Sequence, residues 1–355
     1  MLGLALAALA SAGGTATGAS APATVARARY LMGTRLSITL PAPAPESAFE
    51  AAFAEVARLE DALSNWREAS EVSRLNAAAA EGPVRCSPDL FGAVRAALHW
   101  AEETGGAFDP TVEPLVRAYG LRGADGRLPD GAGSVPAASD GAPGRGGPIG
   151  WRHVRIVPDA RTIAFDARGV GIDLGGIGKG FALDAAARAL RHRGIRVALL
   201  DFGGQVLAIG SPPGGGGWRV GIASPEDRER PIAWIAVRDR SVATSSNSER
   251  AVAGPSGPVG HILDPQRGVP AGYAGSITIV ARDATTADAL STGLFVMGPE
   301  RGSRWAAARE LAVLFVWRRA DGVLERRSTP PFETLQRNGS RPVAGRVAGA
   351  ARAGS

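Results

Sequence analysis

Lysine is almost absent from this sequence. Of the 40 basic residues in 355, a single one, Lys179, is lysine, and the rest are arginine. Cysteine is nearly as scarce: Cys86 stands alone, which excludes a disulfide framework and a thiolate metal site. No apolar run reaches the roughly 18 residues that a membrane-spanning helix needs. There is also no basic run of five and no interleaving of aromatic with basic residues. The net charge of +6 and the pI near 10.5 therefore do not point to nucleic acid. A mildly basic surface suits a polyanionic small substrate equally well.

What is present is ordinary for a globular protein: 45% hydrophobic and 21% charged residues, in a chain long enough for one large domain or two smaller ones. The 48 glycines and 25 prolines predict long loops and helices that are few or short. Residues 1–25, beginning "MLGLALAALASAGG", read as a signal-like leader without a positive n-region, or as a disordered Ala/Gly segment. The first reading places the protein on the exported, periplasmic or cell-envelope side, and the second leaves it cytoplasmic. The main domain spans 26–329, interrupted by a low-complexity insertion at about 123–150, and 330–355 read as a disordered tail.

Within the main domain, 30–40 alternate like a strand and 46–64 carry helical spacing. A second helix over 87–106 has Ser87 as its N-cap. Strands are predicted at 152–157, 162–167, 196–200, 205–209, 218–223, 232–237 and 275–281, with helices after Gly180 and over 285–297. Strands bunched between segregated helices predict an α+β fold.

The stretch "GVGIDLGGIGKGFALD" (169–184) holds six glycines in a dozen residues and the only lysine. It is not a Walker A loop, because Asp173 stands five before Gly178 and Gly180 follows Lys179. It is not a dinucleotide fingerprint either, since Leu174 occupies the third glycine position. An anion cradle of backbone N–H groups ahead of a helix remains, as does a tight strand-to-helix turn. Asp173 beside an anion loop calls for a cation. Asp288 and Thr292, spaced i, i+4, share a helix face. With backbone carbonyls from the loop they would form a hard-oxygen site suited to Mg²⁺, although such a pair taken alone is more often an ordinary cap or surface pair.

In order the chain carries "MGT" (32–34), "LSNWREASEVSRLN" (63–76), "TGGAFDPTVEPLV" (104–116), "IDLGGIGKGFALD" (172–184), "LLDFGGQVLAIG" (199–210), "ATSSNSER" (243–250), "GHILDPQRG" (260–268) and "ADALSTGLFVMG" (287–298). This series closely resembles the ApbE family, the FAD:protein FMN transferases, from about residue 29 to 317. The resemblance implies an α+β fold of the ApbE type, with a T-fold-like antiparallel sheet core and flanking helices. It implies a magnesium-dependent transferase that moves FMN from FAD to a Ser or Thr hydroxyl of a target flavoprotein and releases AMP. A subunit of a membrane-bound redox complex is one such acceptor. The alternatives are a magnesium-dependent FAD pyrophosphatase and a non-catalytic flavin-binding protein.

Carried over by position, the resemblance implies flavin or FAD contacts from Met32, Trp66, Ala107, Phe108, Asp109, Asp173, Lys179 and Ile262. Metal ligands would be the Gly176 carbonyl, Asp288 and Thr292, and His261 would be the general base. Three positions depart from the family's usual pattern: Arg267 for a threonine, Gln205 for a carboxylate and Ser246 for a glycine.

Overall fold

The structure, a computed structural model, describes residues 23–121, 147–227, 229–247, 251–254, 257–272, 275–319 and 321–340. The leader up to residue 22, most of the expected insertion (122–146) and the chain beyond 340 lie outside the described residues.

The chain opens with a hairpin, β1 (Thr24–Leu31) and β2 (Thr34–Pro41), where the alternation over 30–40 predicts one strand. The break falls at Met32 and Gly33, which both hold positive φ (47° and 75°) between the paired Leu31 and Thr34. A two-residue loop with both residues left-handed fits a type I′ turn, whose twist matches that of the strands. Methionine gives no turn signal, so the sequence hides this corner.

Next come α1 (Glu46–Leu63), α2 (Glu71–Ala78), β3 (Val84–Arg85), α3 (Pro88–Glu103) and α4 (Glu113–Ala118). Ser87 caps α3 as its position predicts, its hydroxyl accepting from Leu90 N at 3.2 Å. After the hairpin β4 (Val154–Val157) and β5 (Thr162–Phe165), the glycine stretch leads into α5 (Gly178–His192). Strands follow in succession: β6 (Ala198–Phe202), β7 (Gln205–Ile209), β8 (Trp218–Ala223), β9 (Pro231–Val237) and β10 (Arg240–Ser246). Two short hairpins, β11 (Ala251–Gly254) with β12 (Gly257–Gly260) and β13 (Leu263–Asp264) with β14 (Val269–Pro270), precede β15 (Gly275–Ala281). The chain closes with α6 (Ala284–Ala307), β16 (Ala312–Arg318), β17 (Leu324–Ser328) and α7 (Pro330–Ser340).

Eight strands form the main antiparallel sheet in the order β1-β2-β6-β7-β10-β15-β16-β17, giving the expected α+β architecture. Its centre is covered on both faces. In β16, Val313 and Phe315 pack under α6, while Ala312, Leu314 and Val316 face a second layer made of β8, β9 and α7. Burial on both sides explains why β16 is an unbroken apolar run instead of an alternating one. At the other end, Leu36, Ile38 and Leu40 of β2 join the core beneath α1 and α5.

Two expectations are corrected. The helices are neither few nor short: α1 has 18 residues, α3 16 and α5 15, and α6 runs from Ala284 to a break at Gly298 before it continues to Ala307. Many of the glycines sit at left-handed corners, such as 203–204 and 214–217, and leave the helices long. The expected disordered tail also begins too early, because 330–340 form α7. Phe332 is fully buried against the sheet, and Gly339 fits so closely on β9 that a β-carbon there would lie 2.6 Å from the Ile235 backbone. One large apolar anchor outweighs a polar composition when a ready-made groove receives it. Among the described residues no helix is long and apolar enough to cross a membrane.

Candidate functional site

The glycine loop is held at its start by two asparagines. Asn65 and Asn76 donate from Nδ2 to the Ile172 carbonyl at 2.7 and 2.9 Å, and Ile172 N donates to Asn76 Oδ1 at 2.8 Å. Asn76 thus pairs with Ile172 as a neighbouring strand would. The next residue, Asp173, donates its amide to Pro110 O at 2.7 Å and accepts Gly175 N at Oδ1 at 2.7 Å. These bonds fix the entry to the loop before any ligand is considered.

At its far end the loop runs into a line of contacts between α5 and α6, which pass antiparallel with residues one turn apart in register. Asp184 receives Ala284 N on Oδ1 and Thr285 N on Oδ2, both at 2.9 Å. One turn on, Gly180 N donates to Asp288 Oδ2 at 2.8 Å. One turn further, Gly176 lies against Thr292, whose Oγ1 would sit 3.1 Å from a β-carbon at residue 176. Gly180 has no room for a side chain, since its β-carbon would stand 2.1 Å from the Ala284 carbonyl oxygen. That carbonyl accepts Gln205 Nε2 at 2.8 Å, which ties the same turn of α6 to β7. A carboxylate at 205 could not donate this bond, so the amide has a structural role here.

Asp288 is 6% exposed. With Oδ2 taken by Gly180, its Oδ1 lies 3.9 Å from Lys179 Nζ, and the lysine side chain is about one-third exposed. Thr292 is half-buried one turn along the same helix, beside Gly176. One carboxylate and one hydroxyl a turn apart, with the backbone of the loop alongside at Gly176, would give an all-oxygen donor set with few protein charges. Mg²⁺ accepts this type of site, keeping waters and substrate phosphate in its remaining positions. The residues therefore fit the ion that the spacing suggests.

Ala107, Phe108 and Asp109 form a buried segment between α3 and the loop. Phe108 is wedged between Gly176 and Gly293, where β-carbons would lie 3.2 Å and 3.0 Å from it. Asp109 turns its carboxylate inward. Oδ1 accepts from the amide and hydroxyl of Thr111 at 2.8 and 2.6 Å, and Oδ2 from Trp151 N at 2.9 Å. Burial pushes its pKa above the ordinary carboxylate range, with those hydrogen bonds opposing. Asp184 is raised in the same way, by burial against the opposing bonds from Thr285 and Ala284.

His261 is half-buried at the end of β12, immediately before the buried Ile262. The Ile262 carbonyl accepts Ala271 N at 2.8 Å, and the Ala271 carbonyl accepts Asn247 Nδ2 at 3.0 Å. Gln266 Nε2 donates to Gly105 O at 2.8 Å, which lashes this hairpin to the segment carrying Ala107. Ala107 and Ile262 share one apolar cluster with Leu290 and Leu294 of α6. Arg267 is exposed at the hairpin tip, where Asp264 Oδ1 holds its amide at 3.1 Å. Ser246 donates its hydroxyl to Gly275 O at 3.0 Å across β10 and β15.

On the opposite flank, the Met32 Cε would lie 3.6 Å from a β-carbon at Gly178. Trp66 is 61% exposed beyond α1, next to the Asn65 that holds Ile172. The structure thus gathers Met32, Phe108, Asp173, Gly176, Lys179, Asp288 and Thr292 at the loop, with Ala107 and Ile262 in the apolar cluster under α6. Trp66 follows the Asn65 that holds Ile172, His261 directly precedes the buried Ile262, and Asp109 turns its carboxylate to Thr111 and Trp151 behind the Phe108 segment. Nothing in the sequence marks Asn65, Asn76 or Asp184 for a role at the site. All three fall inside the motifs quoted above, but their partners lie about a hundred residues away.

A model of the ApbE family matches residues 32–315. The FAD:protein FMN transferase of Vibrio cholerae is 32% identical over 269 residues, which is 75% of this chain and 78% of that protein. That of Treponema pallidum is 32% identical over 294 residues, 78% and 79% of the two chains. The crystal structure of the ApbE protein from Thermotoga maritima superposes with a TM-score of 0.76 at 29% identity, over 88% of this chain and 99% of that one. The flavin transferase ApbE from Vibrio cholerae gives 0.74 at 26% identity with the same coverage.

Proposed function

The chain belongs to the ApbE family, and we propose that it is a Mg²⁺-dependent FAD:protein FMN transferase built on the α5–α6 junction. The observation that carries the metal reading is the divided carboxylate of Asp288: one oxygen is fixed by Gly180 N, and the other is presented beside Lys179. In the reaction an acceptor Ser or Thr oxygen forms a bond to the flavin-side phosphorus of FAD. The bond from that phosphorus to the bridging oxygen breaks, and AMP leaves with the oxygen.

His261 takes the proton of the attacking hydroxyl, the role an imidazole fills near neutral pH. Lys179 and the loop amides hold the pyrophosphate oxygens, where fixed donors stabilise developing charge. Met32 and Trp66 flank the flavin, while Ala107, Phe108 and the Ile262 backbone line the cleft. Asp173 orients the loop and accepts from the ligand, and Asp109 keeps the Phe108 segment in place. Asp288, Thr292 and the Gly176 carbonyl would hold Mg²⁺, which supplies charge neutralisation across the pyrophosphate when bound. The acceptor is a flavoprotein with a Ser/Thr modification site, met on the exported side of the membrane if the leader directs secretion.

Purified protein incubated with FAD, with and without Mg²⁺ and an FMN-accepting domain, tests this reading. Mg²⁺-dependent AMP release with flavin covalently on the acceptor is the expected result. AMP and free FMN without labelling would instead make the protein a pyrophosphatase. FAD recovered intact under every condition would leave a binding protein.

A further inference from the structure

α6 already has a cap of its own. Asp283 precedes the helix and accepts Thr286 N at 2.7 Å and the Thr286 hydroxyl at 3.0 Å. Asp184 nevertheless reaches across from α5 to take the two remaining amides of that turn, Ala284 N and Thr285 N, and the Thr285 hydroxyl at 2.6 Å. Two carboxylates thus serve one helix end, one local and one from another element. The local one suffices to start a helix. The second joins α6 to α5 and so does more than terminate it.

Its place in the register gives the reason. Counting back by one turn on α5 and forward by one turn on α6, Asp184 opposite Ala284 is followed by Gly180 opposite Asp288, and four residues further back, in the turn that precedes α5, Gly176 lies opposite Thr292. A slide of α6 along α5 would move Asp288 and Thr292 together away from the loop. Gln205 grips Ala284 from the sheet, but through one neutral hydrogen bond. Asp184 supplies three bonds to a helix N-terminus, the end at which a negative charge is favoured.

We propose that Asp184 is a positioning residue for the metal-and-phosphate site: it fixes the register in which Asp288 and Thr292 meet the glycine loop. The proposal rests on the metal role of Asp288 given above. It assigns Asp184 no contact with substrate or metal.

The test compares wild-type protein with Asp184→Ala and Asp288→Ala. Mn²⁺ uptake is followed by the EPR signal of the free ion, FAD binding by flavin fluorescence without metal, and unfolding by circular dichroism. Partners that orient a ligand from behind typically change metal affinity about 10- to 100-fold. Asp184→Ala is accordingly expected to weaken Mn²⁺ binding about ten-fold or more, with metal-free FAD binding within about two-fold and cooperative unfolding retained.

Asp184→Ala binding Mn²⁺ as the wild type does, while Asp288→Ala does not, overturns the positioning role alone. Unchanged Mn²⁺ binding in Asp288→Ala, or no uptake by the wild type, overturns the metal reading beneath it. If Asp184→Ala fails to fold, Asp184→Asn and Thr285→Val decide. The first retains one acceptor and the second loses only the hydroxyl bond, so both should show smaller, graded losses of Mn²⁺ affinity. Wild-type affinity in both overturns the proposal.

Discussion

Gly180 donates its amide to Asp288 at 2.8 Å across the join of two helices, at a point where a single methyl group would collide with the Ala284 carbonyl. A glycine-to-alanine change inside a helix normally stabilises it by about 1 kcal/mol. Here the sign reverses. Gly180→Ala is expected to destabilise the protein by about 1–3 kcal/mol, the usual range for overpacking, and to raise the Mg²⁺ concentration needed for half-maximal turnover. Urea unfolding and a Mg²⁺ titration of AMP release check both parts.

Replacing His261 with Asn removes the base while keeping a polar side chain of similar size. Loss of positioned proton transfer typically costs about 10²- to 10⁴-fold, and FMN transfer should fall by that factor. FAD affinity should stay within about two-fold, because the backbone bonds around Ile262 and Ala271 do not involve the imidazole. A parallel loss of binding would assign His261 to the ligand pocket instead of the chemistry.

Asp288→Asn and Thr292→Val separate ligand loss from fold loss. The asparagine can still accept from Gly180 N, and valine preserves the volume beside Gly176. Each variant should unfold within about 1 kcal/mol of the wild type, the size of one ordinary hydrogen bond. AMP release should nevertheless lose its response to Mg²⁺. In the wild type, a chelator should abolish release, and added Mg²⁺ should restore it.

Asp109 gives a pH signature. Burial raises its pKa in the folded protein above the ordinary 3.8. The folded state therefore binds the proton more tightly than the unfolded chain does. The stability so gained is fully present below the ordinary value and is lost as pH rises through the raised one. Asp109→Asn removes this titration. The unfolding free energy of the wild type minus that of the variant should fall as pH rises across that window and then level off. A difference that rises with pH would mean that the three hydrogen bonds outweigh burial.

Much of the fold is legible because local pattern and burial agree. Strands β7, β8 and β15 fall where predicted, and Ser87 marks the start of α3. What escapes notice is set by tertiary partners. β10 is a central strand, yet it reads "RSVATSS" because its hydroxyls bond sideways: Ser241 to Val206 O, Thr244 to Thr278 and Ser245 to Ser291. β16 is covered on both faces, so it carries no alternation to find. In the site, the spacing of Asp288 and Thr292 announces a shared helix face, whereas Asn76 and Asp184 act only through residues that folding brings near. Gln205 looks like a lost carboxylate until its amide is seen holding Ala284.

The scarcity of lysine has a practical side. Lys179 stands about one-third exposed beside the carboxylate of Asp288, and it is the sole side-chain amine in the chain. An acylating reagent thus has one side-chain target, and its adduct can be counted as a single mass increment on the peptide that carries Lys179, apart from any adduct on the α-amino group. FAD bound as proposed should shield that amine. The fraction left unmodified then becomes a direct titration of occupancy, with no need for turnover, a fluorophore or a mutant.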